Sequence, residues 1–316
     1  MNRVINKLPL PIAGLMLGLA ALGNLLGGYS LLLKNTLGIV SGMIAILILV
    51  KIIKMPKSLK DAFDNPVAGS VMATLPMGLM LLSTYLKPYI STLALVIWLF
   101  SLVMHVVFII VFTKKYLLNF NIKKVFPSYF VMYVGIVCAS VTSPAYQMQT
   151  MGQLIFWFGL VSYLALLPVV IYRVIKIKAI PAPAIPTLII FAAPASLCLT
   201  GYLKAFSDKS PIMIYCLAGL ASIMVIYALL QMPKMLKLPF VPAYSAFTFP
   251  FVISAIAATG FTNFMTATNH LNPIYPVIKD VLTVFASLMV LYVLIRYTTF
   301  LIASPNKNNK QVNKVG

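Results

Sequence analysis

The side chains able to do chemistry are few in this chain and poorly spaced for it. Among 316 residues the only acids are Asp61, Asp64, Asp208 and Asp280, and there is no glutamate. General acid–base catalysis needs ionisable groups converging on one site. Here the acids are scattered, and the only histidines are His105 and His270. Cys138, Cys198 and Cys216 lack the paired spacing of a metal site or a disulfide framework. No Ser-His-Asp set and no Gly-rich phosphate loop is present, so an enzyme is not expected, nor a metal or cofactor. Moving an ion through a membrane makes different demands. A cation path uses acidic rings or carbonyl filters, and a proton-coupled pump places ionisable groups in its pathway. Three of the acids fall between apolar runs and Asp280 at the edge of one. An interior without negative charge, in a chain of net charge +20, suits an anion.

The elements that would position such a path recur regularly. Pro9, Pro66, Pro127, Pro186 and Pro242 each open an apolar run, at nearly constant intervals, and a second apolar run answers each. That period marks an internal repeat of a helical hairpin. Hydrophobic residues make up 61% of the chain and charged residues 9%, with a mean hydropathy of +1.01. The expectation is an all-α integral membrane protein of ten transmembrane helices. They are read at 8–29, 36–55, 66–86, 90–112, 127–146, 151–172, 185–205, 211–231, 241–262 and 277–299, each near the ~20 residues a bilayer requires. Residues 1–303 form a single transmembrane domain and 304–316 a short polar cytoplasmic tail. The apolar run after Lys7 continues to about Leu33 without a clear cleavage site, so it reads as a retained first helix and not a signal peptide.

Odd and even helices differ in kind. Gly, Ala, Ser, Thr and Pro supply half of each odd span on average but under a quarter of each even one. Small residues let backbones approach, whereas bulky apolar residues suit lipid, so the odd helices are expected inside and the even ones outside. Gly14 with Gly18, and Gly23 with Gly27, give the first helix two small-xxx-small pairs. Pro76, Pro194 and Pro250, with Pro144 near an end, each remove a backbone donor within an odd span and should kink it. A kinked inner ring gives a central path with a narrow waist. Candidates to line it are Gly14, Gly18, Ser70, Thr74, Val134, Ala193, Thr200, Phe249 and Ile253. His105, the one ionisable residue deep within a span, lies on an even helix and reads as a hydrogen-bonded structural histidine. His270 reads as a loop residue, and Arg296 as a snorkelling helix-end residue.

Of the 24 Lys and Arg residues, 19 fall at the termini and in alternate loops on one side. By the positive-inside rule both termini are cytoplasmic, in agreement with an even number of spans. This distribution explains the charge by topology and anionic-lipid contact, not by nucleic acid.

Three segments resemble a known family. They are Leu8-Pro-Leu-Pro-Ile-Ala-Gly-Leu-Met-Leu-Gly, Phe126-Pro-Ser-Tyr-Phe-Val with Ser143-Pro144, and Ala243-Tyr-Ser-Ala-Phe-Thr-Phe-Pro-Phe. With the five-hairpin pattern they are similar to the tellurite-resistance/dicarboxylate transporter family, which includes bacterial TehA and the plant guard-cell slow anion channels. The resemblance implies five hairpins in quasi-fivefold arrangement around a central pore, and a homotrimer with one pore per subunit in the plasma (inner) membrane. It also implies a phenylalanine of the ninth helix that plugs the pore. This maps to Phe249, which directly precedes Pro250, with Phe247 and Phe251 as neighbouring alternatives. The function so implied is an anion channel or passive anion transporter. The alternative is a proton-linked carrier for a C4-dicarboxylate such as malate, for tellurite or for sulfite.

Overall fold

The computed structural model describes residues 2–303, all of whose regular structure is helical; the tail expected at 304–316 lies outside them. Eight helices are long and apolar enough to cross a membrane. They are α2 (Leu31–Lys54), α3 (Pro66–Leu86), α4 (Ser91–Leu117), α6 (Gln149–Ile177), α7 (Ala182–Ala205), α8 (Pro211–Leu236), α9 (Pro242–Ala267) and α10 (Ile274–Ile302). The two other expected spans are a shorter apolar helix, α1 (Leu10–Leu26), and a segment broken into short helical pieces, α5 (129–146).

Burial separates the segments as residue size does. In α3, α7 and α9, 72%, 78% and 72% of the most apolar window is buried, against 33% or less in α2, α4, α6, α8 and α10, so the odd helices form the interior. Each even helix packs on the odd helix before it. The odd helices also touch in succession, α1 on α3, α3 on α5, α5 on α7, α7 on α9, and α9 back on α1. Small residues permit that closure. A Cβ on Gly14 would stand 2.9 Å from Cβ of Ser245, and one on Gly18 only 2.5 Å from Cβ of Thr248. Gly23 and Gly38 instead make room for the ring of Tyr85, whose hydroxyl donates to the carbonyl of Ala20 at 2.6 Å.

The prolines act differently from simple kinks. In α7 and α9 the chain enters as 3₁₀-helix (Ala182–Ala192 and Pro242–Phe247) and becomes α-helix at Ala193 and Phe249, with Pro194 and Pro250 in the first turn. In α3 the α-helix stops at Val71 and restarts at Thr74, two residues before Pro76. A proline tolerates the first turn because no intrahelical acceptor awaits its missing N–H. Each therefore begins a new helix at mid-span. Pro144 lies in a 3₁₀ turn that ends α5.

Hydroxyl side chains bond to carbonyls and hydroxyls of neighbouring helices around the ring. Thr248 donates to the carbonyl of Gly14 at 2.9 Å and Ser254 to that of Ala192 at 3.2 Å. Ser70 donates to Ser128 at 2.7 Å, and Ser196 and Ser254 share a hydrogen bond of 3.1 Å. His105 serves the same end. Fully buried on α4, it donates from Nε2 to the carbonyl of Met132 at 3.0 Å, just before the 3₁₀ turn at Gly135–Val137 that interrupts α5.

At one end of the bundle a surface helix, Pro56–Asp64, joins the first two hairpins. It is anchored by Phe63 against Phe108, with ring centres 5.1 Å apart. There Asp64 pairs with Lys115, whose hydrogen bond holds its carboxyl below the usual range. Lysines also cap helix ends. Lys51 donates to the carbonyls of Asn6 (3.1 Å) and Leu8 (2.7 Å), and Lys7 to those of Phe300 and Ala303.

Replacing His105 with Leu leaves the Met132 carbonyl buried without a donor, which costs about 1–3 kcal/mol. The expected result is a lower thermal midpoint of the detergent-solubilised protein, with His105→Gln, which can still donate, losing distinctly less.

Candidate functional site

Two cavities lie end to end inside the ring of odd helices, and no even helix contributes to either wall. The inner one, about 40 Å³, is bounded by Gly14, Thr74, Val134, Ala193, Ser245 and Phe249, among others. That volume holds about three water molecules. The outer one, about 340 Å³, is bounded by residues roughly one to four turns further along the same helices, among them Asn24, Thr142, Thr200, Lys204, Ile253 and Asn263. Phe249 and Leu197 border both cavities and so form the partition between them.

The partition is built from local sequence. Phe249 is the first α-helical residue of α9, at the junction where 3₁₀-helix ends, and the small residues Gly14 and Gly18 of α1 admit the α9 backbone beside it. A Cβ on Gly18 would approach the Phe249 nitrogen to 3.2 Å. The neighbouring phenylalanines face elsewhere. Phe247 packs against Tyr244, with ring centres 5.1 Å apart, and Phe251 against Phe285 at 4.9 Å. Both are fully buried and border neither cavity. Phe249 makes no such aromatic pair among the described residues, and it faces open space on either side.

The expected lining residues divide accordingly. Gly14, Thr74, Val134 and Ala193 lie on the inner wall, Thr200 and Ile253 on the outer, and Phe249 on both. Gly18 does not reach either cavity, because its face is occupied by Thr248. Ser70 is likewise turned away, its hydroxyl spent on Pro66, Val67 and Ser128. Pro194 and Pro250 border the inner cavity, and Pro76 neither. Sequence reasoning missed Leu197, Asn24, Asn263 and Lys204. Leu197 follows Pro194 at the interval at which Ile253 follows Pro250, a signal present in the repeat.

The electrostatics are simple. Among the described residues Lys204 is the only charged side chain on either wall, and it is exposed at the outer cavity. Four α-helices begin close to the inner cavity, at Ala13, Thr74, Ala193 and Phe249. Each continues a preceding helical turn that accepts its first N–H groups, as Ile190 does from Ala193 and Ser245 from Thr248, so these junctions are continuations of a helical run and not free N-termini.

Residues 7–298 match the model of one protein family, described as SLAC1: Voltage-dependent anion channel. A comparison with curated proteins gives no significant match.

The outer cavity is wide and partly polar, and the partition of Phe249 and Leu197 is apolar. In a background with the native cysteines replaced, Asn263→Cys and Thr259→Cys are expected to react with a water-soluble thiol reagent. Phe247→Cys and Phe251→Cys, packed against aromatic rings, are expected to stay unmodified, as read by mass spectrometry of the labelled protein.

Proposed function

The chain belongs to the SLAC1 family of voltage-dependent anion channels, a multi-pass membrane protein that moves anions, and we propose that it is a passive anion channel gated by Phe249. The observation that carries this reading is the position of Phe249 as shared wall of two stacked cavities. An aromatic ring across the waist excludes a hydrated ion, and the larger cavity beside it offers room for the ring to swing. Once it does, an anion passes a wall of apolar and hydroxyl side chains with no acid among them. Lys204 raises the local anion concentration at the mouth. The lack of any acid on either wall supports passive flow over proton coupling through the protein.

The finer features come with this reading. All ten segments cross the membrane, α1 and α5 included, since both are enclosed by the other helices and their irregular backbone lines a cavity. Both termini face the cytoplasm, on the strength of the basic loops at that end. The protein is TehA-like, resides in the plasma (inner) membrane and assembles as a homotrimer with a pore in each subunit, as the family resemblance implies. Native mass spectrometry in mild detergent is expected to show three copies, and a monomer alone would count against that assembly.

Purified protein in planar bilayers is expected to give a small current that rises at least tenfold in Phe249→Ala, with reversal following the chloride or nitrate gradient. Phe247→Ala and Phe251→Ala are expected to lose stability without gaining current. Silence in native and variant alike, with saturable pH-dependent malate, tellurite or sulfite uptake by proteoliposomes, would move the protein to the carrier class. Lys204→Gln is expected to lower anion current severalfold at low salt and little at high salt, because the attraction of an exposed charge is screened.

A further inference from the structure

A second feature lies on the outer surface, away from the central file, at the end of the bundle that carries the basic loops. A crevice of about 250 Å³ opens between the end of α4, the start of α5 and α6, bordered by Leu117, Phe120, Tyr129, Tyr133, Ala165 and Val169. Its rim is exposed, Leu117 by 41% and Phe120 by 55%, so it faces the hydrocarbon side of the bundle. One helical turn beyond Val169, on the same face of α6, stands Arg173, only 1% exposed. Its Nη2 donates to the carbonyls of Lys123 (3.3 Å) and Ala179 (2.9 Å), and its guanidinium lies 5.6 Å from the ring centre of Phe126. Its Nε and Nη1 have no partner. A guanidinium carries five N–H donors, so three of the five are unanswered.

No carboxylate is at hand to answer them. The chain has no acid between Asp64 and Asp208, and Asp64 is engaged by Lys115. The two segments that Arg173 ties together add Lys123, Lys124, Lys176 and Lys178, all exposed and without ion pairs among the described residues. A buried cation with free donors beside four unpaired lysines is costly unless an anion joins it. The apolar crevice lies one turn away along the same face of α6. A basic pocket between helices with an adjoining acyl slot is what an anionic lipid requires.

We infer that this corner is a binding site for an anionic phospholipid, with its phosphate on Arg173 and the surrounding lysines and one acyl chain in the crevice. The lipid ties the α4–α5 and α6–α7 connections together from outside the ring. Free phosphate shares the headgroup chemistry but has no use for the crevice.

The test uses the full chain in dodecyl maltoside, with thermal midpoint and native mass spectrometry read while phosphatidylglycerol, phosphatidylcholine or inorganic phosphate is added. Two variants leave Arg173 in place. One changes Lys123, Lys124, Lys176 and Lys178 to Gln, and the other, Ala165→Trp, fills the slot. Phosphatidylglycerol alone is expected to stay bound and raise the midpoint, with apparent affinity at least tenfold weaker in both variants. Equal stabilisation by phosphatidylcholine would overturn the site. So would a full effect of inorganic phosphate that Ala165→Trp does not alter, since that points to a free anion. Unchanged phosphatidylglycerol affinity in either variant would also refute it.

Discussion

The structure depends on the close approach of α1 to α9. Residues far apart in the chain meet there, and the contact is possible only because Gly14 and Gly18 present no side chain to Ser245 and Thr248. In an apolar medium there is little hydrophobic drive to bring helices together, so van der Waals fit and shared hydrogen bonds must do it. Thr248 supplies both, its hydroxyl bonding across to the Gly14 carbonyl while its Cβ and Oγ1 fill the gap beside Gly18. The same logic repeats around the ring in the Ser70–Ser128 and Ser196–Ser254 pairs, each joining residues one repeat apart.

That closure makes the interrupted inner helices tolerable. Each break exposes backbone carbonyls that would be expensive in hydrocarbon, and each is placed where a hydroxyl, His105 or a cavity can receive them. In return the breaks fall near mid-span, beside the partition of Phe249 and Leu197, and among the described residues Lys204 is the single charged side chain on either cavity wall.

Much of this was legible in the residues. Composition alone divides inner from outer helices, because lipid contact and backbone approach select opposite side-chain sizes. The repeat placed Thr74, Ala193 and Phe249 at corresponding depths, and all three fall on cavity walls. Facing was harder to read. The odd segments switch between 3₁₀ and α winding, so no single period predicts which residue turns inward; Ser70, before the break in α3, turns away, and Gly18 is covered by Thr248. The prolines were visible as helix breakers, but not as first-turn residues of new helices, since that role depends on where the preceding 3₁₀ stretch ends. The surface helix at Pro56–Asp64 was hidden by its polarity, only Phe63 marking its buried side.

The hydrogen bond from Thr248 to Gly14 spans 234 positions of sequence, and this bears on biosynthesis. The first hairpin enters the bilayer long before its partner has been translated, so the glycine face of α1 must wait against lipid or against a surrogate. The barrel-like assembly of five hairpins is sealed last, by the ninth helix, and it is that helix which brings Phe249. A truncated or stalled chain therefore leaves the ribosome as an open arc without its central ring, incomplete but not a leak with a defined bore.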